Sequence, residues 1–561
     1  MDGRAAPTPG GTADGARGGA GDGAADAAGG GAVDGVVGGT AAEAVTMGKL
    51  AEDLANRKAD ARGMGGEDLV ARQHELGKLT VRERVDVLFD PGTFTETGLL
   101  ARAADTPQTQ GRRTWADGVV TGTGKIHGRM AALIAYDFTV LAGSMGVHGE
   151  RKAARMRELA VRHGHPVIYL LDSAGGRVNE AVGAFGGTGD VFREMSQMSG
   201  VVPQVGAVLG HCSAGTGYVP ALCDFVPMVK GTSSMALAGI HLVRAATGEE
   251  LTEEDMGGSA VHAKVSGVAD REAADDADCL RMVREYLSFM PCRYGDPLPV
   301  RPVSDPPERR SERLYEIVPA NLRKAYDMRG VITELVDDGA FFPIKPDWAK
   351  ALITGFARFA GRPAGVVASQ PLVRAGAISV DEADKAAKFI NVCDAFDIPL
   401  VFLVDVPGFV VGREVEHRGI LRHGAKFLHN ISCATVPKVT VILRKAYGAG
   451  YYVMGGRQYG ADYIVGWPTA EISIMGPEGA VNILFRRQLA AAAPGEAREA
   501  LRKELIGKVR AQIDPYLTAK QALIDDIIDP AETRVHIIKG LEISQGKRIT
   551  APARKRGVIP V

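Results

Sequence analysis

Three segments in the first half of this chain recur in the second half at one fixed spacing, and that duplication limits its folds more than any composition value does. "GTGKIHGRMAALIAYD" (Gly122 to Asp137) matches "GFARFAGRPAGVVASQ" (Gly355 to Gln370), each with a Gly-Arg pair six residues after the first glycine. "HPVIYLLDSAGGRV" (His165 to Val178) matches "IPLVFLVDVPGFVV" (Ile398 to Val411), and "CSAGTGY" (Cys212 to Tyr218) matches "KAYGAGY" (Lys445 to Tyr451). Gly122 and Gly355, Asp172 and Asp405, and Tyr218 and Tyr451 are all 233 positions apart. Chance periodicity does not hold one spacing over three segments, so two copies of one domain are expected.

Each copy reads strand, strand, helix, strand, turn, helix, strand, turn. "AALIAYD" and "PVIYLLD" are short apolar runs, while "GERKAARMRELAVRHG" spaces Ala153, Met156, Leu159 and Ala160 as a helix does. Such alternation predicts an α/β fold with a mostly parallel sheet, and sites in such sheets lie beyond the carboxyl ends of the strands. Two glycine-rich turns fall there in each copy. The first is Asp172 to Arg177 and Asp405 to Phe409; the second is Ser213 to Gly217 and Tyr447 to Gly450. One such turn alone is ordinary helix-start geometry. Four in matched pairs point instead to main-chain amides aimed at a developing oxyanion, where side chains must be small enough to admit a carbonyl group.

With 561 residues and 45% hydrophobic content the chain can bury more than one core. A net charge of -1 and a pI near 6.9 give no reason to expect a nucleic-acid or membrane-surface partner. Six scattered cysteines without a C-x-x-C pair argue against a zinc ribbon or a disulfide scaffold and fit a reducing cytoplasm. No apolar run spans a bilayer and no signal-peptide pattern opens the chain, so a soluble cytoplasmic protein is expected. Residues 1–45, mostly Gly, Ala and Asp with few large apolar side chains, read as a disordered tail. A helical arm is expected from Leu50 to the "PGTF" at Pro91, and "CRYGDPLPVRPVSDPPERRSERL" (Cys292 to Leu314) reads as an interdomain linker. The domain division expected is therefore 46–298 and 299–561 after the tail. No phosphate-binding G-x-x-x-x-G-K-[ST] motif is present.

"DFTVLAGSMG", "DSAGGRVNE", "GHCSAGTGYVPALCDF", "DAFDIPLVFLVDVPGF", "KVTVILRKAYGAGYYVMGGR" and "WPTAEISIMGPEGAVNILF" resemble the carboxyltransferase (β) subunits of biotin-dependent acyl-CoA carboxylases. The propionyl-CoA and methylcrotonyl-CoA types are the nearest. The resemblance runs from about Leu50 to about Val535 and implies two duplicated crotonase-like domains. It implies transfer of CO2 from carboxybiotin to the α-carbon of an acyl-CoA, with an acyl-CoA side in the first copy and a biotin side in the second. It assigns one oxyanion pair to Ala174 and Gly175, with Gly176 adjacent, and the other to Ala449 and Gly450. Substrate contacts are implied at Gly143, Ser144, Gly215, Thr216, Gly217, Tyr451 and Tyr452, with Arg151 and Lys152 as further coenzyme A contacts and no metal. Biotin would arrive on a partner α subunit that also carries the biotin carboxylase, since this chain has no Ala-Met-Lys-Met motif. The site would form between protomers of a homo-oligomer, usually a hexamer. Two departures stand out: Ala174-Gly175-Gly176 where the propionyl type has Gly-Gly-Ala, and Ala449-Gly450-Tyr451-Tyr452 where it has Gly-Ala-Tyr-Asp. The acyl preference is therefore open. A biotin-dependent decarboxylase or transcarboxylase subunit, or a silent scaffolding homologue, are the alternatives. His211, His423 and Cys212 lie near the turns and receive no role.

Overall fold

In the computed structural model, residues 46–177, 180–549, 552–553 and 557–560 are described. The expected tail, 1–45, lies outside them, as do Val178 and Asn179 of the "DSAGGRVNE" motif. Described residues up to Leu54 belong to one unit and Ala55–Val561 to another. The expected single arm is three helices, Met47–Arg62, Glu67–Glu75 and Val81–Leu88. Breaks come at Gly66 and Gly77, whose φ values of 103° and 72° lie where a helix cannot continue. Thr80 and Glu83 then start the third helix with a reciprocal capping box.

Among the described residues two eight-stranded sheets follow, and they share one plan. In the first, the hairpin Val119–Ile126 and Arg129–Tyr136 is antiparallel, and Val167–Ser173 and Gln204–Ser213 add to it in parallel. In the second, Leu352–Phe359, Arg362–Ser369, Leu400–Val406 and Lys438–Tyr447 repeat that order. A short strand pairs with the end of the last strand in each, Ser234–Ala236 in one and Glu471–Ser473 in the other. The helices Val147–His163 and Val380–Ala395 are the matching crossovers.

The duplication extends to backbone strain. Non-glycine residues rarely adopt positive φ, yet Ala116, His127, Leu141 and Ala142 do so, and so do Ala349, Ala360, Arg374 and Ala375, each 233 positions later. The spacing changes by one before the second turn. Strand Gln204–Ser213 corresponds to Lys438–Tyr447, and its pairing His211 with Ser234 corresponds to Lys445 with Glu471. Tyr218 is thus the counterpart of Tyr452, not of Tyr451. Sequence alone favours the other register because both turns run glycine, small residue, glycine, tyrosine, and at 233 those letters coincide, whereas at the structural spacing of 234 only the tyrosine does.

The two copies share an apolar core. Phe225 and Tyr286 of the first stack at 4.6 Å, Phe342 of the second lies 5.6 Å from Phe225, and Phe356 lies 5.8 Å from Tyr286. Rings of this size bury large area at each contact. The segment from Cys292 to Arg313 has neither helix nor strand.

Candidate active site

Each strand that leads into a first turn carries a fully buried aspartate as its next-to-last residue, and these two carboxylates anchor the site. Asp172 accepts from Lys78 Nζ (2.8 Å), Gln73 Nε2 (3.0 Å) and Arg84 Nη1 (3.1 Å), and Arg84 Nε also donates to Asp276 (2.7 Å). Asp405, its counterpart, accepts from Arg444 Nε at 2.8 Å and from the Lys445 amide at 3.2 Å, with Lys445 Nζ at 3.4 Å. Arg444 further donates to the carbonyls of Pro319, Asn321 and Lys324. A buried carboxylate is tolerated only with such partners, so each turn leaves its strand from a rigid base. Lys445 is therefore part of the anchor.

In the first turn, Met145 N–H donates to the Gly175 carbonyl (2.9 Å) and Arg177 N–H to the Met145 carbonyl (3.0 Å). Ile378, Gly408 and Val410 repeat these bonds in the second copy. The turn is thereby stitched to the segment Ala142 to Gly146. Arg177, 6% exposed, completes the stitching: Nε donates to Ser144 Oγ (3.1 Å), Nη2 to the Ser144 carbonyl (2.8 Å), and Nη1 reaches Asp117 and Glu180. A Cβ on Gly143 would strike the Asp172 carbonyl, and its φ is +59°. A cavity of about 500 Å³ opens beside this segment, walled by Ser144, Ala142, Arg177, Arg72, Arg112 and Gln73 among others.

The two turns of each copy touch. Gly175 has φ +93°, and a Cβ there would lie 2.8 Å from the Ser213 carbonyl; one on Gly450 would lie 3.0 Å from Gly408 Cα. Small residues are thus required by close backbone approach. Ala449 and Gly450 are the second and third residues of the helix Gly448–Val453, so their amides have no carbonyl one helical turn back. Gly176 is exposed, and among the described residues its amide has no acceptor.

Ala174 requires a correction: its amide donates to the Ala142 carbonyl at 3.0 Å, so it is not a free oxyanion donor, and Gly175 N–H is held by Ser173 Oγ at 3.1 Å. Thr216 is buried, its hydroxyl spent on the Ser213 carbonyl (2.8 Å), and Tyr451 is buried with its hydroxyl accepting from the Arg457 amide (3.1 Å). Gly217 donates its amide to Ala214, and Gly215 is half-buried at the helix start. Tyr452 is the tyrosine that faces out, 39% exposed and stacked on Tyr459 at 5.5 Å. Lys152 is also misassigned by sequence. Its ammonium bonds the carbonyls of Ala116 (2.9 Å) and Val119 (2.6 Å), and burial lowers its pKa to about 8. Arg151 beside it is exposed. Burial pushes the Cys212 thiol up to about 12, which leaves it inert, and His423 braces two helices through Asp384 at 2.7 Å.

Sequence reasoning missed the roles of Asp172, Asp405 and Arg177. The first two had a signal, an aspartate repeated near the end of matched strands. The partners Lys78 and Arg84 had none, because they lie 94 and 88 positions from Asp172.

Residues 72–559 match the family described as Carboxyl transferase domain. The chain is 43% identical over 520 residues to the propionyl-CoA carboxylase carboxyltransferase subunit of Haloferax mediterranei, covering 92% of this chain and all of that one. It is 41% identical over 515 residues to the methylmalonyl-CoA decarboxylase subunit alpha of Propionigenium modestum, covering 91% and 99%. A crystal structure of transcarboxylase 12S, a hexamer with methylmalonyl-coenzyme A and methylmalonic acid bound, superposes with a TM-score of 0.88 at 41% identity over 92% of this chain and 99% of that one. Duplicated sheets, paired glycine turns and full-length kinship together place the chain in the carboxyltransferase family, as a subunit that moves CO2 from carboxybiotin to an acyl-CoA in a biotin-dependent acyl-CoA carboxylase.

Proposed function

We propose that the acyl-CoA thioester oxygen is received at the first turn of copy one by the Gly176 amide, and the biotin ureido oxygen at the second turn of copy two by the amides of Ala449 and Gly450. The observation that carries this is the contact between turns: Gly175 against Ser213 and Gly450 against Gly408 leave no room for side chains. When bound, carboxybiotin supplies both the CO2 and a ureido group able to take up the α-proton. The chain contributes positioned donors, which stabilise negative charge as it develops on each oxygen. Asp172 and Asp405 keep the turns from relaxing, and Arg177 holds the Ala142–Gly146 segment against the first of them. The arginine-lined cavity beside Ser144 suits the phosphates of coenzyme A.

The substrate is a short acyl-CoA, a reading supported by relatives named for propionyl-CoA and methylmalonyl-CoA. The site is completed by a second protomer, as the hexameric relative suggests. Apolar side chains lie open around the two turns of copy two, with Val411 88%, Leu421 79% and Ile474 83% exposed, as an interface would leave them in one chain. A biotin-bearing α subunit is the remaining partner. A cytoplasmic location fits six free cysteines and, among the described residues, the lack of any helix long and apolar enough to cross a membrane.

The test is reconstitution. The purified chain alone should fix no bicarbonate, and a cognate biotinylated α subunit should restore carboxylation of acetyl-, propionyl- or butyryl-CoA. Failure with every cognate α subunit and every short acyl-CoA overturns the proposal.

A further inference from the structure

His211 lies between a serine and a glutamate. Its Nε2 is 3.1 Å from Ser213 Oγ, and its Nδ1 is 2.9 Å from Glu253 Oε2. Ser234 Oγ braces the ring, 3.0 Å from Nδ1, and itself donates to Glu253 at 3.2 Å. Alternation along the strand Gln204–Ser213 puts residues 211 and 213 on one face, which explains the first contact. A hydroxyl on a base, with the base oriented by a carboxylate, is the arrangement that activates a nucleophile. Exposure rises along the relay from Ser213 at 6% to His211 at 24% and Glu253 at 48%.

The fold itself does not demand these residues. At the matched positions copy two has Lys445, paired to Asp405, and Tyr447, bonded to Glu471. The relay is peculiar to copy one, and the Ser213 carbonyl is the group against which Gly175 rests. The hydroxyl thus belongs to the residue next to the turn proposed to receive the thioester.

We infer that Ser213, His211 and Glu253 form a hydrolytic relay that cleaves acyl-CoA thioesters, an activity distinct from carboxyl transfer. It rests on the reading of the first turn as the acyl-CoA side. Ser213 Oγ attacks the thioester carbonyl carbon as its proton passes to His211 Nε2. The C–S bond breaks, and the coenzyme A sulfur leaves with that proton. Water then attacks the serine ester, giving its proton through His211 back to Ser213 and releasing the carboxylic acid. One water is consumed, and no oxidant or reductant is needed. Glu253 holds the ring so that Nε2 faces the hydroxyl.

The experiment uses the full chain without any α subunit, with acetyl-, propionyl- and butyryl-CoA, and reads thiol release with a disulfide dye. A fluorophosphonate probe on the wild-type chain, located by peptide mass spectrometry, needs no variant. Expected are thiol release above the enzyme-free rate, a fall of about 100-fold in Ser213→Ala and in His211→Gln, and label on Ser213. No thiol release, release unchanged in Ser213→Ala, or label elsewhere only would overturn the relay. Carboxylation by the reconstituted complex, measured in parallel, separates the two readings. Hydrolysis without carboxylation supports the relay and counts against the carboxylase proposal, and carboxylation without hydrolysis does the reverse.

Discussion

Gly450 has no space for a methyl group, because a Cβ would sit 3.0 Å from Gly408 Cα and nearly as close to Val406. Gly450→Ala should therefore part the two turns and lower kcat/KM for carboxylation by about 100-fold, the cost of losing one oxyanion donor, with a melting shift of only a few degrees. Its neighbour gives the control. Ala449 is exposed and its proposed role is its amide alone, so Ala449→Gly should keep activity within about threefold of wild type. Steady-state kinetics on the reconstituted complex check both. Lys152 permits a different measurement. Its pKa near 8 lies below that of an unfolded lysine, so from about pH 8 to 10.5 the unfolded chain holds the extra proton and stability rises with pH. Below pH 8 both states are protonated and the contribution is flat. Lys152→Met should remove up to about 1.4 kcal/mol per pH unit of that slope, read from denaturation midpoints between pH 8 and 10.

At the scale of elements, the connection into copy two depends on one buried lysine. Lys385, on the helix Val380–Ala395, donates to the carbonyls of Lys345 (2.8 Å), Trp348 (2.9 Å) and Leu352 (2.7 Å), and Lys345 in turn bonds Gly267 and Asp270 of copy one. Lys385→Met leaves the Trp348 and Leu352 carbonyls without that donor, while the Lys345 carbonyl keeps the Trp348 amide at 3.4 Å. Unfolding free energy should drop by about 2 kcal/mol, measured by urea titration, because each orphaned group costs about 1 kcal/mol or more. These elements were readable to different degrees. Apolar runs such as "PVIYLLD" and "PLVFLVD" mark strands by themselves, since a strand buried on both faces needs no alternation. The breaks at Gly66 and Gly77 were not legible, because a glycine inside a helical pattern does not declare its φ.

Across the whole molecule, the apolar side chains left open around the turns of copy two mark the face on which the proposed second protomer would pack. Ile474 is 83% exposed, and its carbonyl borders Gly448. Ile474→Glu should shift the sedimentation coefficient to that of a smaller species and lower carboxylation at least tenfold, since an unpaired charge in an apolar interface is costly. If mass and activity both stay unchanged, this face is not the interface. Duplication, α/β class and the position of four glycine turns were all settled by amino-acid order, because repeats and strand-turn-helix punctuation are local patterns. Which amides remain free was not. Ala174 and Gly176 are alike on paper, and only the approach of Ala142, 32 positions earlier, uses one and spares the other. The same holds for Lys78 under Asp172 and for Glu253 against His211: hydrogen bonds between distant segments are made by folding, and no local pattern records them.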